Sequence, residues 1–142
     1  MKVLLLKPGD EELLARAEGA FNSDVPTRSR CAMLLREPSY VMVVAMTDDN
    51  DIMGRIYGNV LHRYEATDLL LYEVDVLEAH QRKGVGRAML EYLKTYCTGR
   101  GYGEMWVLTD PDNDAGNALY KSAGGNLENS PTNMYVFTLA RS

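Results

Sequence analysis

The chain has 142 residues, 46% of them hydrophobic and 25% charged, with a formal net charge of −5 at pH 7. Those values describe one globular domain with a sizeable core and exclude a disordered chain. The acidic balance argues against a nucleic-acid or anionic-membrane binder, because counterion release needs a basic face, and it leaves room for a cationic partner. Cys31 and Cys97 match no zinc spacing and are expected in helix cores, and His62 and His80 stand alone, so no metal site is expected. The first apolar run is too short for a signal peptide, and no run approaches the roughly 20 residues of a membrane span, so a cytoplasmic protein is expected.

Lys2–Leu6 reads as a first strand. Gly9-Asp10-Glu11-Glu12 then supplies a stop, a cap and an acidic first turn, and Leu13, Leu14, Ala17 and Phe21 follow at helical spacing. After the break at Asn22–Pro26, Thr27 is placed to cap a short second helix that must end before Pro38. Tyr40–Met46 and Ile52–His62 read as two strands of a hairpin joined by the polar turn Thr47–Asp51. Leu69–Leu77 is a further apolar strand interrupted by Glu73 and Asp75, which share one face if the strand is regular. Gln81–Arg87 opens an amphipathic helix with Val85, Met89, Leu93 and Tyr96 on one side, ended by Gly99 and Gly101. Met105–Thr109 is a buried-type strand, Asn113 or Asp114 caps a helix stopped by Gly124-Gly125, and Met134–Leu139 alternates as a closing strand. The order βααβββαβαβ predicts an α/β (α+β) fold in a single domain, residues 1–142.

The strongest chemical signal is the strand that ends in a glycine turn and starts a helix at Gln81-Arg82-Lys83-Gly84-Val85-Gly86-Arg87. A helix start presents unpaired N–H groups and the positive end of the dipole, and residues without side chains let an anion approach the backbone. Arg82, Lys83 and Arg87 add positive charge in the one local basic cluster, which suits a pyrophosphate. The Walker glycine-lysine pattern and the three-glycine dinucleotide pattern are both absent.

The stretch Gln81-Arg82-Lys83-Gly84-Val85-Gly86 resembles the acetyl-CoA pyrophosphate motif of the GNAT superfamily of N-acetyltransferases. The element order is similar throughout, and Asn113 followed by Ala118-Leu119-Tyr120 and Gly124 is similar to the family's second segment. The resemblance implies a central mixed, mostly antiparallel sheet flanked by about four helices, with acetyl-CoA as acetyl donor. Within the superfamily, Tyr72-Glu73-Val74-Asp75-Val76, His80–Gly84 and the acidic run Thr109–Asp114 look like the small aminoglycoside 3-N-acetyltransferases, with Glu73 standing where that group has Asp.

An amine must lose its proton before it attacks a thioester, so a carboxylate is needed to hold it and a base to take the proton. Glu73 is the expected base and Asp75 the rival; either acid could instead pair with an arginine. The resemblance assigns the Val76 N–H as oxyanion donor, where the strand splays open, and the Val74 and Val76 backbone as the partner of pantetheine. It assigns Tyr120 as the acid that protonates the leaving thiolate, and places Gln81, Arg82, Lys83, Gly84, Val85, Gly86, Arg87 and Asn113 against the coenzyme. Tyr72, Glu73, Asp75, Asp110, Asp112 and Asp114 are candidates to line an acidic cleft for a cationic acceptor, although turn and cap chemistry also explains Asp112 and Asp114. The leading expectation is acetylation of an aminoglycoside at its 3-amino group, conferring antibiotic resistance. The alternatives are another small polyamine or a protein amine as acceptor, or a non-catalytic coenzyme A-binding module. A homodimer is compatible with the closing strand and the Tyr40–Met46 hairpin.

Overall fold

A computed structural model describes residues 1–128 and 133–140. Its elements in order are β1 (Lys2–Leu5), α1 (Glu11–Phe21), α2 (Arg28–Arg36), β2 (Tyr40–Met46), β3 (Ile52–His62), β4 (Thr67–Val76), a single 3-10 turn at Glu78–His80, α3 (Val85–Gly99), β5 (Met105–Val107) and α4 (Asp114–Ser122). The strands lie in the order β1-β2-β3-β4-β5; the first four are antiparallel and β5 joins β4 in parallel. This is the mixed sheet with four helices that the sequence predicts. No helix among the described residues is long and apolar enough to cross a membrane.

The sheet is covered on both faces, which explains the unbroken apolar run of β2. Val41, Val43 and Ala45 face α3, where they pack with Ile56, Leu69, Leu71, Met89 and Leu93. Met42, Val44 and Met46 face α1 and α2, where they meet Leu14, Ala17 and Cys31. The alternation of β side chains thus gives one strand to two cores. Thr27 caps α2 as expected, its side-chain oxygen accepting from the Arg30 N–H at 3.1 Å.

The pairing of β3 with β4 contains one irregularity that matters for everything below. Tyr57 opposes Glu73 while the next residue, Gly58, opposes Leu71, so Tyr72 is an extra residue in β4. A bulge of this kind places two consecutive side chains on one side of the strand and shifts the alternation beyond it. Leu69 and Leu71 point to the α3 core, and so do Val74 and Val76 after the bulge. Tyr72, Glu73 and Asp75 are left on the α1 side.

β4 also loses its other neighbour at this point. It pairs with β5 only at Leu69, Leu71 and the residue between them, and the last register pair is Leu71 with Val107. The splay therefore begins at Tyr72, earlier than the expected position near Val76. β5 is likewise shorter than predicted. The chain Met134–Leu139, predicted as a closing strand, forms no strand: Met134, Tyr135, Val136, Phe137 and Leu139 are 75–84% exposed. Its alternating pattern has no strand partner among the described residues, which is why the sequence signal is not realised.

Gly58 carries a backbone constraint, because a Cβ there would lie 2.2 Å from the Leu70 carbonyl oxygen, across from the bulge. Gly58→Ala should therefore destabilise the fold by about 1–3 kcal/mol, the usual cost of overpacking. Urea denaturation would show it as a lower midpoint at constant slope, and an unchanged midpoint would mean that the bulge tolerates a side chain.

Candidate active site

Arg55, from β3, lies at the centre of the acidic face and is 1% exposed. It sits directly opposite Asp75 in the register, with Tyr57 opposite Glu73. Its Nη1 donates to Asp75 Oδ2 at 2.8 Å and its Nη2 to Glu73 Oε2 at 3.2 Å. Its Nε stands 3.0 Å from Glu18 Oε1 on α1. That third contact is an ion pair by distance, but the N–H is not aligned on the oxygen, and neither atom has a hydrogen-bond partner. The guanidinium is flanked by the rings of Phe21 and Tyr57, 4.9 and 5.2 Å from their centroids, a favourable setting for a desolvated cation. Both candidate bases thus pair with an arginine, the alternative that the sequence left open.

The protonation equilibria follow the burial. Burial raises the Glu18 carboxyl, opposed by the charge of Arg55 and reinforced by Glu73 and Asp75. Burial likewise raises Asp75, again against the pull of Arg55, with Glu73 adding to the rise. The Tyr57 phenol is pushed up to about 12, chiefly by burial and then by the Glu73 charge. Its hydroxyl donates to Glu73 Oε1 at 3.4 Å. Tyr57 also stacks between Tyr40 and Tyr72, with centroids 5.9 and 5.6 Å apart, so three neighbouring strands present one aromatic ladder.

A cleft of about 550 Å³ opens beside this ladder, between α1, α2 and the sheet. Glu18, Asn22, Asp24, Arg30, Tyr40 and Tyr57 line it, so two of its walls are residues already joined to Arg55 or Glu73. No sequence motif marks Glu18, Arg55, Tyr40 or Tyr57 as site residues. Two signals were present. Glu18 falls four residues after Leu14 on the apolar stripe of α1, and Arg55 holds an inward position between Gly54 and Ile56. A charge on a buried face needs a partner, and each is the other's.

On the opposite side of β4 lies the glycine turn. Arg82 has φ +61° and Gly84 φ +81°, with Lys83 between them outside that region. Such alternation turns successive N–H groups toward one point and forms an anion nest. Gly84 is the N-cap of α3 and offers no side-chain cap, so the first N–H groups of a fifteen-residue helix stay free. Arg82, Lys83 and Arg87 are exposed around them. Gly86 also has a packing role. It is buried, and a Cβ there would lie 2.9 Å from the Leu119 side chain and 3.6 Å from Val76, so its small size serves the packing of α3 on α4 and β4. Val85 is buried in the same core.

The free edge of β4 faces this turn. Leu77 N–H bonds to the Met53 carbonyl on β3, so by antiparallel alternation the backbone groups of Val74 and Val76 point to the open side. Gln81 Nε2 donates to the Val76 carbonyl at 3.0 Å, which ties the turn to the strand. Tyr120, on α4, is half-buried; burial raises its phenol, and the Asp75 charge adds to the rise. It is held protonated close to the acidic face.

Asn113 caps α4, with Oδ1 accepting from the Gly116 N–H at 3.1 Å and Nδ2 donating to Thr109 Oγ1 at 2.9 Å. Its side chain is thereby engaged within its own turn. Asp110, Asp112 and Asp114 are exposed and form neither hydrogen bond nor ion pair with the Arg55 cluster. The acidic face is built from Glu18, Glu73 and Asp75, and the three loop aspartates are not joined to it.

The chain belongs to the GNAT acetyltransferase family, whose profile matches residues 10–124. Over 88 residues it is 37% identical to the [ribosomal protein bS18]-alanine N-acetyltransferase of Escherichia coli strain K12, a match covering 62% of this chain and 60% of that protein. The chain thus spans less than two thirds of that relative's length. An aminoglycoside acetyltransferase from an uncultured soil metagenomic sample, solved in complex with sisomicin, has a TM-score of 0.89 at 22% identity, covering 98% of this chain and 96% of that one. A ribosomal-protein-alanine N-acetyltransferase from Brucella melitensis biovar Abortus 2308 has a TM-score of 0.77 at 16% identity, covering 96% and 100%. The two structures share this fold while their names carry different acceptors.

The raised carboxyls make folding pH-dependent. A carboxyl raised in the folded state contributes stability that is full below its unfolded value and is lost as pH rises through the folded value. The contribution of Glu18 therefore declines as pH rises above its ordinary value of 4.5. Glu18→Gln should flatten that decline, read as urea midpoints between about pH 4 and pH 8. Parallel profiles for the two proteins would show that Glu18 titrates normally.

Proposed function

We propose that the protein is an acetyl-CoA-dependent N-acetyltransferase whose acceptor is an amino group of a small polycation of the aminoglycoside kind, at its 3-amino group. The observation that carries the acceptor class is the acidic face: three carboxylates share one buried guanidinium beside a cleft that Glu18 and Asp24 line. A ligand with several ammonium groups would match it. The nest at Arg82–Gly84 and the free N–H groups of α3 fit the coenzyme's pyrophosphate. The open edge at Val74 and Val76 fits the amides of pantetheine as an added strand.

Acetyl-CoA supplies the activated acetyl group as a thioester. Glu73 would hold the acceptor amine and take its proton, with Asp75 beside it on Arg55. The Val76 N–H would stabilise negative charge on the thioester oxygen. Tyr120, kept protonated by burial and by Asp75, would give a proton to the departing sulfur.

A protein amine is the second reading, favoured by the 37% identity with a ribosomal-protein-alanine acetyltransferase. Release of free thiol from acetyl-CoA separates the two when sisomicin is offered against a peptide with an N-terminal alanine. The proposal expects thiol release with sisomicin and a singly acetylated product; release with the peptide alone would replace it by the second reading. Acetyl-CoA binding without thiol release from any amine would point to a non-catalytic module. Glu73→Gln should lower kcat by about 10²-fold or more at unchanged acetyl-CoA affinity, and undiminished turnover would remove Glu73 from the role of base.

A homodimer is part of the same proposal. Tyr135, Val136, Phe137 and Leu139 form an exposed apolar run of strand character, and a second copy offers the same run in return. Light scattering should give a dimer, and Phe137→Asp should convert it to a monomer. A wild-type protein that is already monomeric would rule the dimer out.

A further inference from the structure

We propose that Arg55 is a positioning residue for the transfer: one buried cation, shared by Glu18, Asp75 and Glu73, that fixes Glu73 beside the cleft and leaves the acceptor to supply the second positive charge. The assignment of the acceptor rests on the function proposed above; the role of Arg55 toward the carboxylates does not.

The geometry separates the three nitrogens. Nη1 serves Asp75, Nη2 serves Glu73 and Nε faces Glu18. With a side chain 1% exposed, Arg55 is walled off from any ligand in the cleft and acts only through these partners. Its grip on Glu73 is matched from the other oxygen by the Tyr57 hydroxyl, so Glu73 is oriented at both ends of its carboxylate. Glu18 is held differently: Oε1 faces Nε at 3.0 Å without an aligned hydrogen bond, and Oε2 accepts from Asn22 Nδ2 at 3.0 Å.

The charge count supplies the consequence. Three carboxylates and one guanidinium sum to a charge of −2 when all are ionised, an unfavourable load in a partly desolvated site. Protonation of a carboxyl relieves it, and so does an ammonium entering the cleft. The rise of both Glu18 and Asp75 agrees with this. Arg30 on α2 and Asp24 in the loop before it line the same cleft; the other titratable groups facing the cluster are Tyr40 on β2, Tyr57 on β3, Cys31 on α2 and Tyr120 on α4, and these four are raised by burial. They stay neutral at neutral pH, so titration in the acid range belongs to the carboxyls.

The test is a carbon-13 carboxyl NMR titration of the acceptor-free protein, following Glu18 and Asp75, the two carboxyls raised against the pull of Arg55. Arg55→Met should raise their midpoints by about one unit or more, by loss of the nearby cation. Arg55→Lys keeps the charge at one point and should recover most of that shift while leaving kcat low, because a lysine cannot orient two carboxylates at once. Glu18→Gln removes an anion and should move the Asp75 midpoint down. Where an amine is accepted, the acid limb of the kcat profile should follow the same shifts. If Arg55→Met fails to fold, the downward Asp75 shift in Glu18→Gln and the low kcat of Arg55→Lys at near-native midpoints decide. An Asp75 midpoint unmoved in Glu18→Gln or in folded Arg55→Met, or a full kcat in Arg55→Lys, would overturn the proposal. Shifted midpoints with no amine accepted would instead sink the proposed function and leave Arg55 as the organiser of the acidic face.

Discussion

Tyr72 is one residue more than β3 can pair, and that surplus fixes the orientation of the acidic face. Counting along a regular strand from Leu69 and Leu71 would send Glu73 and Asp75 into the apolar core under α3. An unpaired carboxylate there costs far more than the fold can supply. The bulge turns them to the α1 side, where Arg55 and Tyr57 meet them across the ladder. β4 leaves β5 at the same step, so one backbone irregularity sets both the acidic surface and the exposed peptide edge. Gly58 makes the close approach sterically feasible.

From that point β4 works as a partition between unlike environments. On one side stand three carboxylates, an aromatic ladder and a cleft. On the other, the turn at Arg82–Gly84 offers backbone N–H groups and three exposed cations. The net charge of −5 conceals this separation of signs. Close to the sheet the charges are paired or turned to solvent, and the helix dipole of α3 strengthens the positive side.

The fold was legible to the extent that its signals are local. Thr27 as a cap, the apolar stripe of α3 and the run of β2 each follow from a few neighbouring residues, and each is realised. The glycine turn was visible for the same reason. Arg55 and Glu18 are not legible as partners because they lie 37 positions apart and only the packing of α1 on the sheet joins them. The bulge leaves a faint trace in the sequence: the apolar positions change phase, from Leu69 and Leu71 to Val74 and Val76, which an unbroken strand cannot do. The motif marks Gly86 for anion approach, and the Leu119 contact that also requires its small size comes from another helix and leaves no local trace. Met134–Leu139 shows the converse case, a clear local pattern with no tertiary partner to complete it.

The edge of β4 has a consequence for how such a protein can change. Recognition through backbone N–H and C=O groups does not depend on which side chains the strand carries, with proline the one residue that removes a donor. Substitutions at Tyr72, Glu73 or Asp75 alter the face toward α1 while the peptide groups of Val74 and Val76 remain as they are. On the proposed assignment, donor recognition and acceptor recognition can therefore drift at different rates on one strand. The face toward α1 can then be remodelled while the exposed peptide edge that β4 keeps is left intact.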